Sequence, residues 1–163
     1  MRNDTRKKSN IVGVSGEYFV AAELSQRGIV ATLTLKNTPY IDLLATNLEK
    51  GKVVNIQVKT MSIHNNAGWH LGEKDEKPSK IKNHYYVLVN LKGVGIQPEY
   101  IIIPQKKLSE FLRKDHSDYL KGKKRDGSDR KNTNMRIFDP NRRVGPREFA
   151  SKYINNWDIL NLW

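Results

Sequence analysis

The chain contains no cysteine. That absence excludes disulfides, thiolate zinc sites and a catalytic thiol. No apolar run approaches the roughly 20 residues that a membrane-spanning helix needs. The basic start (Arg2, Arg6, Lys7, Lys8) leads into an apolar stretch broken by Gly13, Ser15, Gly16 and Glu17, which is a poor match to a secretory leader. A cytoplasmic protein with no membrane partner is the expectation. Acidic residues are scarce as well: 17 Asp and Glu stand against 29 Lys and Arg, for a net charge of +12. The surplus favours a polyanionic partner, most simply nucleic acid, over a surface that is merely basic and soluble. A glycine-rich phosphate loop is missing, because Gly93-Val94-Gly95 is followed by neither a lysine nor a helix. No serine sits in a nucleophile elbow.

What is present suits one globular core: 163 residues, of which 37% are hydrophobic. Residues 1–10 are polar and expected to fray. Ser15 is a candidate N-cap for a helix over 16–27 that ends at Gly28. Val20, Ala21 and Leu24 mark its apolar face, Glu17 falls on the same stripe, and Glu23 is expected to point away. Residues 29–35 alternate like a strand. A loop is expected over 61–77, a short helix over 78–83, and strands over 85–91 and 100–103, the former buried on both faces. Pro104 then opens a helix whose buried side carries Leu108, Phe111 and Leu112.

Composition changes after Lys114. Residues 121–147 hold ten basic residues against three acids, and read as a mobile loop. Lys121, Lys123, Lys124, Arg125, Arg130, Lys131, Arg142 and Arg143 are its candidates for gripping backbone phosphates; a solvated linker is the alternative. Phe149, Tyr153, Trp157 and Leu160 are spaced for one closing amphipathic helix that packs back on the domain. Residues 1–114 are thus expected to form an α/β core with a frayed N-terminus. Residues 115–163 would add the basic loop and the closing helix.

The stretch from Pro39 to Thr60 carries the chemistry. Two apolar strands flank a turn at Lys50-Gly51. Because side chains alternate along a strand, Tyr40, Asp42 and Leu44 share one face of the first. Asn55, Gln57 and Lys59 share one face of the second, with Val54, Ile56 and Val58 on the other. Simple pairing puts Asp42 opposite the Gln57–Lys59 region, so a carboxylate, an amide and an ammonium converge. Buried polar groups without partners cost free energy, so three of them in apolar strands call for a reason. His64 and His70 lie in the expected loop and read as surface histidines.

Helical Glu17, then Tyr40-Ile41-Asp42, then Gln57-Val58-Lys59 resembles the PD-(D/E)xK nuclease superfamily, which has the restriction-endonuclease-like fold. The arrangement is similar to Holliday-junction resolvases, Mrr-type restriction endonucleases and the TnsA-type transposition endonuclease, over about residues 13–112. Two features depart from the pattern. Pro39 stands three residues before Asp42, and Gln57 replaces the acid of the third motif, as it does in Mrr-type and TnsA-type proteins. The resemblance implies an α/β sandwich with a mixed central β-sheet flanked by helices. It implies a Mg²⁺-dependent phosphodiester hydrolase (Mn²⁺ as a substitute), a DNA endonuclease ahead of an RNA nuclease. Asp42 would anchor the metal. Gln57 and the Val58 carbonyl would add neutral ligands, and Glu17 would bind directly or through water. Lys59 would orient the attacking water or stabilise the transition state. Resolvase-like relatives often act as dimers, so a homodimer is compatible with the resemblance. The competing reading keeps the fold, treats Asp42 and Lys59 as a structural ion pair, and leaves a non-catalytic nucleic-acid-binding or interaction module.

Overall fold

The computed structural model describes the chain apart from residues 1, 36, 37, 66 and 142, and apart from the side chains of residues 2–8. Helix α1 spans Arg2–Gln26, followed by strands β1 (Val30–Leu33), β2 (Leu43–Asn47), β3 (Lys52–Met61) and β4 (Trp69–Gly72). After a 3-10 turn at Glu73–Glu76 come β5 (His84–Asn90), β6 (Glu99–Pro104) and α2 (Gln105–Lys121). The chain continues with β7 (Met135–Phe138), α3 (Val144–Ala150) and a 3-10 turn at Trp157–Leu160. Five strands form a mixed sheet in the order β1-β2-β3-β5-β6, and β4 and β7 form a separate ribbon. β3 and β5 run parallel; the other neighbours in the five-stranded sheet are antiparallel. The protein is therefore mixed α/β, with helices over both faces of the sheet.

Alternation along β5 explains the two layers. Val87 and Val89 join Val20 and Leu24 of α1, Ile56 and Val58 of β3, and Trp157 and Leu160 in one apolar cluster. Tyr86 and Leu88 point the other way, into a cluster with Leu108 and Leu112 of α2, Trp69, Phe138 and Tyr153. β5 is buried on both faces as its near-continuous apolar run implies. Val20 and Leu24 are fully buried, which contributes roughly 1.5–3 kcal/mol each to holding α1 on the sheet.

Several expectations change on contact with the structure. α1 starts at Arg2 rather than Gly16. Nothing before Gly13 interrupts the helix, and the Ser15 hydroxyl donates back to the Val12 carbonyl at 2.8 Å instead of capping. The C-terminal end is as expected. Gly28 adopts φ +76°, and the amides of Gly28 and Ile29 donate to Ser25 and Leu24 at 3.0 Å each, closing the helix with paired bonds that satisfy its last carbonyls. Glu23 is buried, not turned outward. It lies one turn beyond Val20 on the same side, where Arg27 pairs with it and Gln97 donates to it at 2.9 Å.

The expected 61–77 loop carries β4 and the 3-10 turn. The expected helix over 78–83 does not form. The buried Gln105 side chain takes up that segment's polar groups, accepting from the Ser79 amide at 2.8 Å and donating to the Lys77 carbonyl at 2.7 Å. Residues 121–147 are not one loop, since β7 and the start of α3 lie within them. The closing helix is broken too. Between α3 and the last 3-10 turn the chain pairs with the edge of β6: Ile154 bridges Ile101, the Ile102 amide donates to Tyr153 at 3.0 Å and the Asn155 amide donates to Tyr100 at 2.7 Å. Phe149 and Tyr153 consequently pack on one face of the sheet, and Trp157 and Leu160 on the other. Among the described residues no helix is long and apolar enough to cross a membrane.

Candidate functional site

Asp42 stands at the open start of β2. Its amide donates to the Ile56 carbonyl at 2.8 Å, and its carbonyl accepts from the Thr34 amide at 2.9 Å. The register Leu43↔Ile56 puts Asp42 opposite Gln57, as simple hairpin pairing requires. The Gln57 amide donates to Asp42 Oδ2. The Val58 backbone N–H donates to the same oxygen at 2.7 Å. In a strand the N–H and C=O of one residue face the same side, so the Val58 carbonyl also points past the end of β2. Gln57 is buried and Lys59 half-buried.

Burial pushes the Asp42 carboxyl above its ordinary value of 3.8. The Val58 amide, the Lys59 charge, the Gln57 amide and the Lys74 charge oppose that shift without cancelling it.

Glu17 reaches the site from α1, on the opposite face of the sheet from Gln57 and Lys59. It lines a cleft of about 370 Å³ together with Ser9, Asn10, Gly13, Thr34 and Asp42. Gly16 allows this approach: a Cβ there would stand 1.9 Å from the Thr60 Oγ1 of β3. Thus Asp42, Gln57, Val58 and Lys59 come together, and Glu17 shares the cleft with Asp42.

A polar layer with little local signal in the sequence lies beside this group. Parallel pairing sets Tyr86 next to Gln57 and His84 next to Asn55. The Tyr86 hydroxyl donates to Asp75 Oδ1 at 2.5 Å, and burial with that carboxylate raises the phenol's pKa well above normal. The Gly72 amide donates to Asp75 Oδ2 at 2.7 Å. Asp75 is only 3% exposed, although it sits in a run of charges that reads as solvated loop. His84 Nε2 lies 2.9 Å from the Tyr40 carbonyl, and burial lowers the histidine's pKa. Its Nδ1 is buried without a partner among the described residues. Tyr40 itself has φ +65°, a left-handed conformation costly for a non-glycine residue. The only sequence signal for this layer was the alternation that points Tyr86 away from Val87.

The basic candidates divide. Lys121 pairs with Asp118 at 3.0 Å, Lys123 with Asp129, and Arg143 with Asp115. Arg130 stacks 4.5 Å from the Tyr119 ring centre and donates to the Tyr119 carbonyl at 2.9 Å. These four have partners inside a small hairpin closed by the Lys123↔Asp129 bridge or along α2. Lys124, Arg125 and Lys131 are exposed, with no side-chain partner among the described residues. Arg142 lies outside the described residues. His64 and His70 are exposed, as expected.

Among the described residues no cluster of three or more His, Asp or Glu side chains is arranged to hold a metal ion. The oxygen donors nearest Asp42 are instead a mixture of carboxylate, amide and backbone groups. Compared with known proteins, the chain matches no family model, no curated protein and no solved structure.

Proposed function

We propose that this protein is a metal-dependent nuclease of restriction-endonuclease-like fold, acting on DNA ahead of RNA. The observation that carries this reading is the setting of Asp42. It is a partly buried carboxylate at an open strand end, with one oxygen held by Gln57 and Val58. A second acid, Glu17, borders the same cleft, and the charge of Lys59 acts on Asp42.

The donor set suits Mg²⁺. Its atoms are hard oxygens only: Asp42 Oδ1, a Glu17 carboxylate, the Val58 carbonyl and the Gln57 amide oxygen. A carboxyl whose burial raises its pKa is also one that a nearby cation would stabilise in its charged form. Asp42 would hold the ion, with Glu17 and Val58 completing its protein side. The bound ion would supply charge relief on the phosphate and a more acidic water. Gln57 orients Asp42 by donating to Oδ2, which would leave Oδ1 to the ion. Lys59 balances negative charge on the phosphate as it grows in the transition state.

One observation favours a non-catalytic nucleic-acid-binding module. Gln57 spends its N–H on Asp42, which satisfies the pair without a metal.

Cleavage assays with Mg²⁺ and with Mn²⁺ on duplex, branched and single-stranded DNA and RNA separate the two. The nuclease reading expects metal-dependent cutting that Asp42→Ala abolishes. Lys59→Ala should retain metal affinity and lose turnover, and Gln57→Glu should bind metal more tightly in calorimetry. A parent protein that cuts nothing, with no gain of metal affinity in Gln57→Glu, establishes the non-catalytic module. Asp42→Ala cutting as well as the parent would place the activity elsewhere.

A further inference from the structure

The charged run from Glu73 to Lys77 reads in sequence as a solvated loop, yet its members have distinct fates. Glu73 pairs with Lys77 at 3.8 Å. Glu76 pairs with Arg136, whose side chain is almost fully buried. Asp75 is buried and accepts from Tyr86 and from the Gly72 amide. All three acids of the run are therefore engaged. Lys74 remains exposed, without an ion pair or side-chain hydrogen bond among the described residues.

Its position is fixed by its neighbours rather than by its own contacts. Asp75 pins the 3-10 turn to β5 through the Tyr86 hydroxyl, and Tyr86 is the register partner of Gln57. The Lys74 ammonium lies 5.2 Å from the centre of the Tyr40 ring. Tyr40 is two residues before Asp42, and its strained turn is tied down where His84 Nε2 meets its carbonyl at 2.9 Å. Two anchored pieces of chain thus hold a cation, an aromatic ring that is 46% exposed and the Asp42 carboxylate in one place. The Lys74 charge acts on that carboxylate. An uncompensated cation in a protein of net charge +12 suits an anionic ligand.

We propose that Lys74 is a phosphate-binding cation of this site, holding the backbone of a nucleic acid beside Asp42 with the Tyr40 ring as a platform for the adjoining sugar or base. The inference rests on nucleic acid being the ligand, and it does not require cleavage. Lys59 extends from β3 itself, whereas Lys74 comes from the connection between β4 and β5, so the two cations would address the strand from different elements. An ammonium over an aromatic face keeps its charge and can still donate to a phosphate oxygen.

The test measures binding of a short DNA duplex and of its single strand, in EDTA, across a series of KCl concentrations. The parent, Lys74→Gln, Lys74→Arg and Lys77→Gln are compared. Lys77→Gln removes the same charge from the same turn and serves as the control for unspecific charge loss. Losing one phosphate contact should flatten the slope of log affinity against log salt by about 0.9 units for duplex, or about 0.7 for single strand. Lys74→Gln is expected to show that loss and about a tenfold weaker affinity at low salt, with Lys74→Arg close to the parent and Lys77→Gln unchanged in slope. Tyr40→Leu should weaken single-strand binding by about five- to tenfold without changing the slope, as loss of a stacking surface does. An unchanged slope in Lys74→Gln, or an equal change in Lys77→Gln, overturns the proposal. If the parent binds but does not cut with any metal, the nuclease reading falls while the slopes still decide the role of Lys74. If the parent binds no nucleic acid, both fall.

Discussion

Gly16 and Gly13 lie one turn apart in α1 and should respond in opposite ways to the same methyl group. In a helix interior each glycine-to-alanine change gains about 0.8–1 kcal/mol from backbone propensity. A Cβ on Gly13 meets nothing within 4 Å, so Gly13→Ala should realise that gain and raise Tm by about 2–4 °C. A Cβ on Gly16 would stand 1.9 Å from Thr60 Oγ1 and 3.0 Å from both Thr60 Cβ and Cγ2. Rotating Thr60 does not fully relieve the clash, because its Cβ stays 3.0 Å away in every rotamer. Overpacking of this kind costs about 1–3 kcal/mol, which exceeds the propensity gain over most of that range. Gly16→Ala should be net destabilised by up to about 2 kcal/mol, so that the two variants separate by about 2–12 °C in Tm. Adding Thr60→Ala to Gly16→Ala should recover most of the loss, since it removes two of the three obstructing atoms. Thermal unfolding followed by circular dichroism measures all four proteins. Gly16→Ala as stable as Gly13→Ala would refute the close approach of α1 to β3, and with it the placement of Glu17 on the Asp42 cleft.

Three other outcomes follow from the site and the basic segment. Asp42 has a raised pKa in the folded protein, so its stabilising contribution is present below the ordinary value of 3.8 and is lost as pH rises through the folded value; Asp42→Asn should therefore match or exceed the parent's stability at neutral pH and lose that advantage in acid, read by denaturant titrations at both ends. Tyr86→Phe removes the hydroxyl that donates to buried Asp75, and should cost about 1–3 kcal/mol in the same titrations, whereas Tyr85→Phe, at a half-buried neighbour, should cost far less. Neutralising Lys124, Arg125 and Lys131 together should flatten the salt dependence of nucleic-acid binding by up to about 2.7 units of slope; neutralising the partnered Lys121 and Lys123 should change it less per residue, and equal effects per residue would show that ion pairing does not hold those lysines back.

The hairpin carrying Asp42 and Gln57 was legible because two local rules determine it. Period-two alternation and a turn at Gly51, which adopts φ +61°, set the register, and register alone makes Asp42 and Gln57 neighbours. The end of α1 was legible for the same reason, since Gly28 needs only its own backbone freedom. The start of α1 was misread because Ser15 has two uses for its hydroxyl, and tertiary context selects the helical one. The polar layer around Asp75 was invisible for a different reason. A buried Asp among four exposed or half-exposed charges has the same local sequence as a solvated one. The Tyr86 hydroxyl that meets it is placed by folding, and the pairing of β3 with β5, which joins residues far apart in the chain, is what sets Tyr86 beside Gln57. The tail failed in the same way: its apolar spacing fits a helix, but backbone pairing with β6 satisfies the same groups and divides the four side chains between two faces.

That tail has a consequence for how the chain reaches its fold. Segment 151–156 passes around the rim of the sheet at β6, placing Tyr153 in one cluster and Trp157, Leu160 and Leu162 in the other. Asn47, at the end of β2, donates to the Leu162 carbonyl at 3.0 Å, tying the last turn to a strand made early. During synthesis β5 and β6 emerge before anything that covers the β6 edge. Until Tyr153 and Asn155 arrive, the nascent sheet presents an edge strand with open hydrogen-bonding groups and apolar side chains only partly covered, by α1 on one face and α2 on the other, a combination that invites pairing with another chain. The tail acts as a clasp that ends this exposure on both faces in a single step, so a break anywhere in 151–156 would release two layers at once.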